Sequence, residues 1–235
     1  MVSKAISAPS YATLICHEMN MPSPTTPCGL QGGVPVSLCD LMAEPLDHDG
    51  IHPITAFRRP EGPSVVMRNL MIVCHHALAA LADMHHRRRL HGCVTDRSIV
   101  LLAEAGRRVV RLARASSSKP STPFNVTIGY RAPEDFLPGG FTNPASDVWS
   151  IGASLVAITC GENLFTGTSV KEIRESICAE ALPFVSAEQA PTILTCDPWW
   201  PLWEKLLVTM LTRNPSQRPS AKQLLRLVRG MLQSL

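Results

Sequence analysis

The 235-residue sequence has little net charge, no CxxC cysteine pair and no long uninterrupted apolar run. A formal net charge of +3 is too small to indicate nucleic-acid binding by itself. The eight cysteines are scattered, which favours reduced thiols over a disulfide framework. We therefore expect no nucleic-acid partner and no cysteine-based scaffold.

Two further absences concern membranes and secretion. The N-terminus lacks the charged start, apolar centre and small-residue cleavage site of a signal peptide. The longest apolar run lies within residues 148–160, contains Ser and Thr, and is too short to span a bilayer. We expect a soluble intracellular protein, cytoplasmic or nuclear, without a membrane partner.

The chain divides unevenly into two parts. Residues 1–65 are rich in Pro, Gly, Ser and Thr and show little periodicity, apart from a short β-like run at residues 11–16. From Met67 onward, apolar residues recur at helical spacing up to Met84, which predicts an amphipathic helix. Arg87, Arg88 and Arg89 follow, where cations oppose the helix dipole; a partner-binding patch is the alternative.

The second part is predicted to be mostly helical. Ser146 is a candidate N-cap for a mainly apolar, central helix that ends at Gly161. Asp197 and Pro198 open another helix, and Ser220 with Gln223 forms a capping box before the last one. Short strands are predicted at residues 99–102 and 109–112, and residues 116–123 are polar, broken by Pro and irregular.

Three motifs in this part carry a resemblance. They are GYRAPE at residues 129–134, SDVWSIG at 146–152 and RNPSQRP at 213–219. In this order and spacing they resemble landmarks of eukaryotic-type protein kinases. The resemblance covers about residues 66–235 and, more loosely, residues 14–19, which are similar to the last small-lobe strand and hinge. It implies an α+β, protein-kinase-like fold, with a mainly α-helical C-terminal lobe (66–235) and an incomplete or missing β-rich small lobe (1–65).

The loop HGCVTDRS at residues 91–98 departs from the family pattern. His91 matches the His of the catalytic loop, but Cys93 stands where the family has its Asp base. Thr95 replaces the phosphate-contacting Lys and Ser98 the metal-binding Asn. The Asp-Phe-Gly metal motif would fall near Ala113, and Glu104 is the only acid between Asp96 and Glu134. The resemblance therefore implies that the groups for chemistry are lost.

These losses predict a non-enzyme. Phosphoryl transfer depends on positioning and charge neutralisation, and a positioned general base alone contributes about 10²–10⁴-fold. We therefore expect a shortened, catalytically dead pseudokinase without cofactor or metal, acting by protein binding or regulation. A kinase or a kinase substrate would be the partner, and shortened copies of this kind occur in viral genomes. The alternatives are a phosphotransferase that uses substitute residues or a partner chain, and a non-functional reading frame.

Several side chains could act as substitutes. Cys93 beside His91 is a candidate nucleophile, and Asp96 a displaced base. A metal site is suggested by a group of His and Cys residues, but His75 and His85 are roughly 15 Å apart along a helix and cannot share one ion. The His and Cys group considered as a metal site comprises Cys74, His75, His76, His85, His86 and Cys93. A separate basic cluster is a candidate anion site and comprises Arg107, Arg108, Arg111 and Arg114.

The residues that match the family best have scaffold roles there. The resemblance implies that Glu134, at the end of what would be the activation segment, pairs with Arg218 and so ties that end to the last helices. It also implies that Asp147 holds the backbone of the 91–98 loop from below. The sequence thus predicts a kept scaffold beneath an altered loop.

Overall fold

The computed structural model describes residues 34–36, 64–104, 107–113, 127–179 and 192–234. The described elements, in chain order, are strand β1 (Val34–Pro35), helix α1 (Val65–His86), strands β2 (Ile99–Glu104) and β3 (Arg107–Leu112), and helices α2 (Pro144–Cys160), α3 (Val170–Cys178), α4 (Thr192–Thr195), α5 (Trp200–Met210) and α6 (Ala221–Gln233). The expected mainly helical lobe with a small β component is confirmed. The predictions for residues 11–19 and 116–123 lie outside the described residues.

The three described strands form one antiparallel sheet in the order β1-β2-β3. Strands β2 and β3 pair along their length, from Ile99 opposite Leu112 to Glu104 opposite Arg107. The apolar run that begins at Ile99 is buried, which explains why the sequence predicted a strand there. The sheet begins directly after the 91–98 loop and therefore fixes the end of that loop.

Helix α1 is predicted well from the sequence and begins at a defined cap. The Ser64 side chain accepts a hydrogen bond from the Met67 backbone N–H at 3.2 Å, which satisfies one of the free donors of the first turn. The helix ends at His86, and Arg88, two residues further on, has a positive φ of 53°. Because this left-handed conformation favours glycine, Arg88 is held there at a cost.

Helix α1 is also long and apolar enough to cross a membrane by length and composition. The expectation rested on the uninterrupted run within residues 148–160, whereas α1 is longer and carries polar residues such as Asn69 and His75 within its apolar sequence. However, 67% of its most hydrophobic window is buried inside the fold. A core helix satisfies the same criteria, so its burial accounts for its composition.

The start of helix α2 corrects the sequence prediction. Asn143, not Ser146, is the N-cap, and its side chain accepts from the backbone N–H of Ala145 and Ser146. Pro144 begins the helix, because its fixed φ suits the first turn and its missing N–H is not needed there. Ser146 instead completes the capping box, and Gly161 ends the helix at a φ of 77°, as predicted.

Helix α2 runs through the centre of the described fold, with nearly all of its residues from Ser146 to Thr159 buried. Gly152 allows helix α5 to approach closely. A Cβ at this position would lie 2.9 Å from the Met210 Cβ, which is too short for ordinary contact. The predicted central helix is therefore confirmed.

Helix α5 begins at Trp200 with Trp199 as its N-cap and no side-chain cap, so the start predicted at Asp197 and Pro198 was placed too early. The Asp197 carboxylate accepts from the Trp199 N–H at 2.8 Å and from the Ser64 N–H at 2.7 Å, so one buried group joins the starts of α5 and α1. The capping box of Ser220 and Gln223 at the start of α6 is present. Helix α3 was missed, because a helix that buries only Ile173 and Ile177 has a short periodic signal.

Candidate active site

The 91–98 loop is held from below by the carboxylate of Asp147, which is completely buried. Its Oδ2 accepts from the His91 backbone N–H at 2.9 Å, and its Oδ1 accepts from the Gly92 N–H at 2.8 Å. The His85 Nε2 lies 3.0 Å from the same Oδ2. Three elements therefore meet at one carboxylate: the end of α1, the loop and the first turn of α2.

Gly92 is constrained by its backbone conformation, and His91 by a hydrogen bond of its ring. Gly92 has a φ of 93°, which a residue with a Cβ adopts only under strain. The His91 Nε2 lies 2.9 Å from the Ala113 carbonyl oxygen. A carbonyl can only accept, so Nε2 carries the proton; Nδ1 is buried and makes no hydrogen bond with the residues that the structure describes. The ring therefore links the loop to the end of β3.

Cys93, which the resemblance matches to the family's base, is largely buried. Its Sγ lies 3.8 Å from the Thr127 carbonyl oxygen. Burial raises the pKa of the Cys93 thiol to about 11; Arg131 opposes this rise, and Asp135 and Asp147 add to it. Since the thiolate is the nucleophile, a neutral thiol at this position is poorly suited to nucleophilic attack.

Thr95 and Ser98 bond to each other rather than opening toward a ligand. Their hydroxyl oxygens are 3.1 Å apart, and the Ser98 Oγ accepts from the Thr95 N–H at 3.2 Å. The Ala113 N–H donates to the Ser98 carbonyl at 2.7 Å. These bonds close the single 3₁₀ turn at Asp96–Ser98 and attach it to the end of β3.

Asp96 is the carboxylate of this loop, and it lies beside Tyr130. The Tyr130 hydroxyl donates to Asp96 Oδ1 at 2.8 Å and lies 2.6 Å from Asn163 Oδ1. Burial, followed by the nearby Asp96 charge, raises the pKa of Tyr130 well above its ordinary value. Tyr130 therefore stays a hydrogen-bond donor at physiological pH and orients the Asp96 carboxylate.

The described residues of the loop do not fit the magnesium ions that the kinase family uses. Mg²⁺ prefers carboxylate and other hard oxygen ligands in octahedral geometry. Cys93, Ser98 and Ala113 supply no carboxylate at the family's base and metal positions. Within residues 34–36, 64–104, 107–113, 127–179 and 192–234, no group of three His, Cys, Asp or Glu side chains could hold a metal ion. That finding includes the described members of the His and Cys group considered above.

The structure also locates the basic residues after the loop. Arg111 is exposed and lies opposite Val100 in the sheet, and Arg108 is partly exposed. The side chain of Arg107 and the whole of Arg114 lie outside the described residues. Arg111 therefore lies close to where β2 leaves the loop, whereas Arg108 lies opposite Ala103, toward the far end of the β2–β3 hairpin.

Glu134 and Arg218 come together, although they lie 84 residues apart in the chain. The pair is bidentate, with Nη1–Oε1 at 2.7 Å and Nη2–Oε2 at 3.1 Å. Their side chains are 9% and 0% exposed, respectively. Ser146 also donates to Glu134 Oε1 at 3.0 Å, so the pair is linked to the start of α2.

The other donors of Arg218 are also satisfied. Its Nη1 donates to the Ala145 carbonyl at 2.6 Å and its Nε to the Thr212 carbonyl at 2.8 Å. The guanidinium carbon lies 5.1 Å from the centre of the Trp149 ring, in a cation–π contact. This network joins the end of the GYRAPE motif (residues 129–134), helix α2 and the turn before α6.

Reasoning from the sequence missed three groups near the loop: His85 as a partner of Asp147, Tyr130 as a partner of Asp96, and Asn163. The Met84–His85 pair before the loop was a usable signal for the first. Nothing in the local sequence pairs Tyr130 or Asn163 with Asp96, because those contacts depend on the tertiary fold.

Comparisons with known proteins identify the family. A family model described as "Protein kinase domain" matches residues 58–227, well over half of the chain. The chain therefore belongs to the protein kinase domain family.

The relatives are named kinases. The chain is 28% identical over 163 residues to serine/threonine-protein kinase dst1 of Dictyostelium discoideum. This match covers 66% of this chain and 20% of that protein. It is 36% identical over 121 residues to cyclin-dependent kinase F-3 of Oryza sativa subsp. japonica. This second match covers 48% of this chain and 26% of that protein. The chain thus spans only about a fifth to a quarter of the length of these relatives.

The expectation that the chain is not an enzyme is wrong on this evidence. The matching relatives are named serine/threonine and cyclin-dependent kinases, which places the chain in an enzyme family. The expectation gave too much weight to individual side chains. Replacing a base or a metal ligand acts first on the rate of a reaction, whereas the anchoring of the loop through Asp147 is kept.

Proposed function

We propose that the chain is a slow serine/threonine protein kinase-like phosphotransferase that uses substitute residues of its own. Asp96 takes the role of the carboxylate that orients the acceptor hydroxyl. The names of the relatives support the reaction class and the acceptor class. Arg111 on β3, which lies opposite Val100 just after the loop, supplies positive charge for the phosphates.

One observation carries this proposal: Tyr130 holds one oxygen of the Asp96 carboxylate, and none of the described residues binds the other. Tyr130 donates to Oδ1, while Oδ2 makes no hydrogen bond with the described part of the chain. The side chain is only partly buried. A carboxylate with one oriented and one open oxygen is suited to accept the proton of a serine or threonine hydroxyl.

The expected rate is low, for a physical reason. The described loop lacks the family's metal and phosphate ligands, and phosphoryl transfer depends on charge neutralisation at the transferred group. Arg111 compensates only in part, because a guanidinium brings one positive charge whereas a magnesium ion brings two. Typical kinases turn over at about 1–100 s⁻¹, and the turnover of this chain is expected to be far lower.

The cysteines support an intracellular setting for this activity. Cys74, Cys93, Cys160, Cys178 and Cys196 are free thiols. Free thiols persist in reducing compartments.

The test is transfer of labelled γ-phosphate from ATP to a mixture of serine-, threonine- and tyrosine-containing peptides, followed by identification of the phosphorylated residues. We expect slow labelling of serine and threonine only. Asp96→Asn keeps the size of the side chain and its bond to Tyr130 but removes the base, so labelling should fall by about 10²–10⁴-fold.

Asp83→Asn is the matched control, because Asp83 is an exposed carboxylate on α1 with a 58% exposed side chain. It should label peptides like the unaltered chain. A contaminating kinase would give the same labelling with all three preparations, and that result would contradict the proposal. Absence of labelling by the unaltered chain would contradict it as well.

A further inference from the structure

A groove lies between helices α5 and α6 and shares no residue with the 91–98 loop. Its volume is about 380 Å³, within the range of about 300–1,000 Å³ that ligand pockets occupy. Its lining is mainly apolar and comprises Leu202, Lys205, Leu206, Thr209, Pro219, Gln223, Leu224 and Leu227. Leu202 and Leu227 are 39% and 52% exposed, so apolar surface faces solvent at its edges.

The surroundings of this groove are mainly basic, although Glu204 directly precedes the lining residue Lys205. The sequence from Lys205 to Leu235 contains no Asp or Glu. Lys205 lies on the α5 side of the groove and is exposed. Exposed cations on α6 are Lys222, Arg226 and Arg229.

The basic side chains of α6 lie next to the residues that line the groove. Lys222 and Arg226 each precede a groove residue, Gln223 and Leu227, by one position. One position is about 100° around a helix, so the basic stripe runs beside the groove wall. Lysine and arginine side chains are long enough to reach over such an edge.

We propose that this groove binds an acidic, amphipathic segment of a protein partner. Apolar side chains on one face of the segment fill the groove between α5 and α6. Acidic side chains flanking that face meet Lys205 on one side and Lys222 and Arg226 on the other. This is the helix-in-groove mode of recognition, with charge complementarity selecting the partner.

The shape of the site favours a protein segment over other occupants. A membrane would need an apolar face that protrudes into the lipid, whereas Leu206 and Leu224 line a concavity and are buried. A second copy that used the same surface would bring like charges together, which is unfavourable. The proposal goes beyond the phosphotransfer function and does not depend on it.

The probe is a fluorescent synthetic peptide of about 15 residues, long enough to form a helix when bound. Leucines occupy one helical face and glutamates the rest. Two control peptides are used: one with lysine in place of glutamate, and one with the same composition but leucines distributed around the helix. Binding is measured by fluorescence anisotropy with the full chain.

Two variants test the two parts of the site. Leu227→Ser removes apolar surface at the groove edge, and Arg226→Glu reverses one flanking charge. Their matched controls are Leu137→Ser, at an exposed leucine outside the groove (62% exposed), and Lys171→Glu, at an exposed lysine on α3. Thermal unfolding of each variant checks that it is folded.

We expect the acidic amphipathic peptide to bind with a Kd of about 1–100 µM, and each groove variant to weaken it by roughly tenfold, or about 1.4 kcal/mol. Leu137→Ser and Lys171→Glu should leave the Kd unchanged. Higher salt should weaken binding, since part of the attraction is between exposed charges.

Three results would overturn the proposal. The first is equal binding of the acidic peptide and its scrambled control, which would show charge attraction alone. The second is equal weakening by the groove variants and their matched controls. The third is binding to vesicles of anionic lipid without binding to the acidic peptide, which would mean that the surface is a membrane site.

Discussion

The floor and the rim of the 91–98 loop differ sharply in how far they keep the family's residues. What we call the floor comprises Asp147, which binds the loop backbone, and the Glu134–Arg218 pair, which lies beside the start of α2 rather than against the loop; both are buried and hydrogen-bonded. The rim presents Cys93, Thr95 and Ser98, which the resemblance matches to the family's base and its phosphate and metal ligands. The difference separates residues that hold the fold from residues that perform the reaction.

The physical basis of this separation lies in which atoms are used. Asp147 binds backbone N–H groups of His91 and Gly92, which every residue except proline provides. Side chains on the rim can therefore change without loss of the loop's position. Asp96 gains importance for the same reason, since a loop that keeps its shape also keeps the placement of its remaining carboxylate.

The largest effect is expected from breaking the floor at Glu134 and Arg218. Glu134→Ala and Arg218→Ala should each lower the free energy of unfolding by about 3–5 kcal/mol, because the partner charge is left buried and uncompensated. The double variant should cost less than the sum of the two. Denaturant-induced unfolding of the four proteins measures this.

Thr95→Ala, on the rim, is the comparison for that cycle. It removes a hydrogen bond between neighbouring side chains and should cost about 0.5–1.5 kcal/mol. If Glu134→Ala and Arg218→Ala were equally mild and additive, the floor would not be the stabilising region.

A smaller effect is expected at Asp147. Asp147→Asn replaces one acceptor oxygen by an NH₂ group, which leaves one of the two loop N–H groups facing a donor. The free energy of unfolding should fall by about 1–3 kcal/mol. Hydrogen exchange at His91 and Gly92 should become faster, while Asp83→Asn, at the surface, should change neither quantity. Unchanged protection of both amides would mean that Asp147 does not hold the loop.

The rim is tested by the pH dependence of Cys93. Because burial raises the pKa of its thiol to about 11, Cys93 should be nearly all neutral at pH 8. Its alkylation by iodoacetamide, followed by mass spectrometry, should be slow there and rise with pH until the pKa is passed. Cys178 is exposed and serves as the internal reference. Rapid labelling of Cys93 at pH 7 would indicate an activated thiol and a different chemistry for the loop.

The smallest effect is expected at the entry to the loop. Arg88 adopts a φ of 53°, and glycine takes this conformation without steric cost. Arg88→Gly should raise the free energy of unfolding by about 0.5–1 kcal/mol. Arg89→Gly is the control and should give no gain, because Arg89 is not among the described residues with positive φ. A loss of stability in Arg88→Gly would show that its side chain contributes more than its backbone costs.

The sequence predicted the floor better than the rim. Periodicity located α1, α2, α5 and α6, because each buries a regular apolar face. The motif at residues 129–134 and Arg218 could be recognised from the sequence, because the kinase motifs that they resemble occur in a fixed order. The N-cap of α2 was misplaced, since two candidate caps, Asn143 and Ser146, both take part in one capping box.

The rim could not be predicted in the same way. The contact of Tyr130 with Asp96 joins residues 34 positions apart, and no local pattern encodes it. Strand β1 is only two residues long and is defined by its pairing with β2 rather than by its own sequence. The lost motif residues suggested absence of activity, whereas the available oxygen of Asp96 is visible only in the fold.

The most direct test of the central claim is the rate of phosphate transfer to serine and threonine peptides by the unaltered chain, by Asp96→Asn and by Asp83→Asn, each corrected for its folded fraction. If Asp96 is the substitute carboxylate, Asp83→Asn keeps the rate and Asp96→Asn lowers it by about 10²–10⁴-fold. Equal rates for all three proteins, or no transfer by any of them, would contradict the assignment.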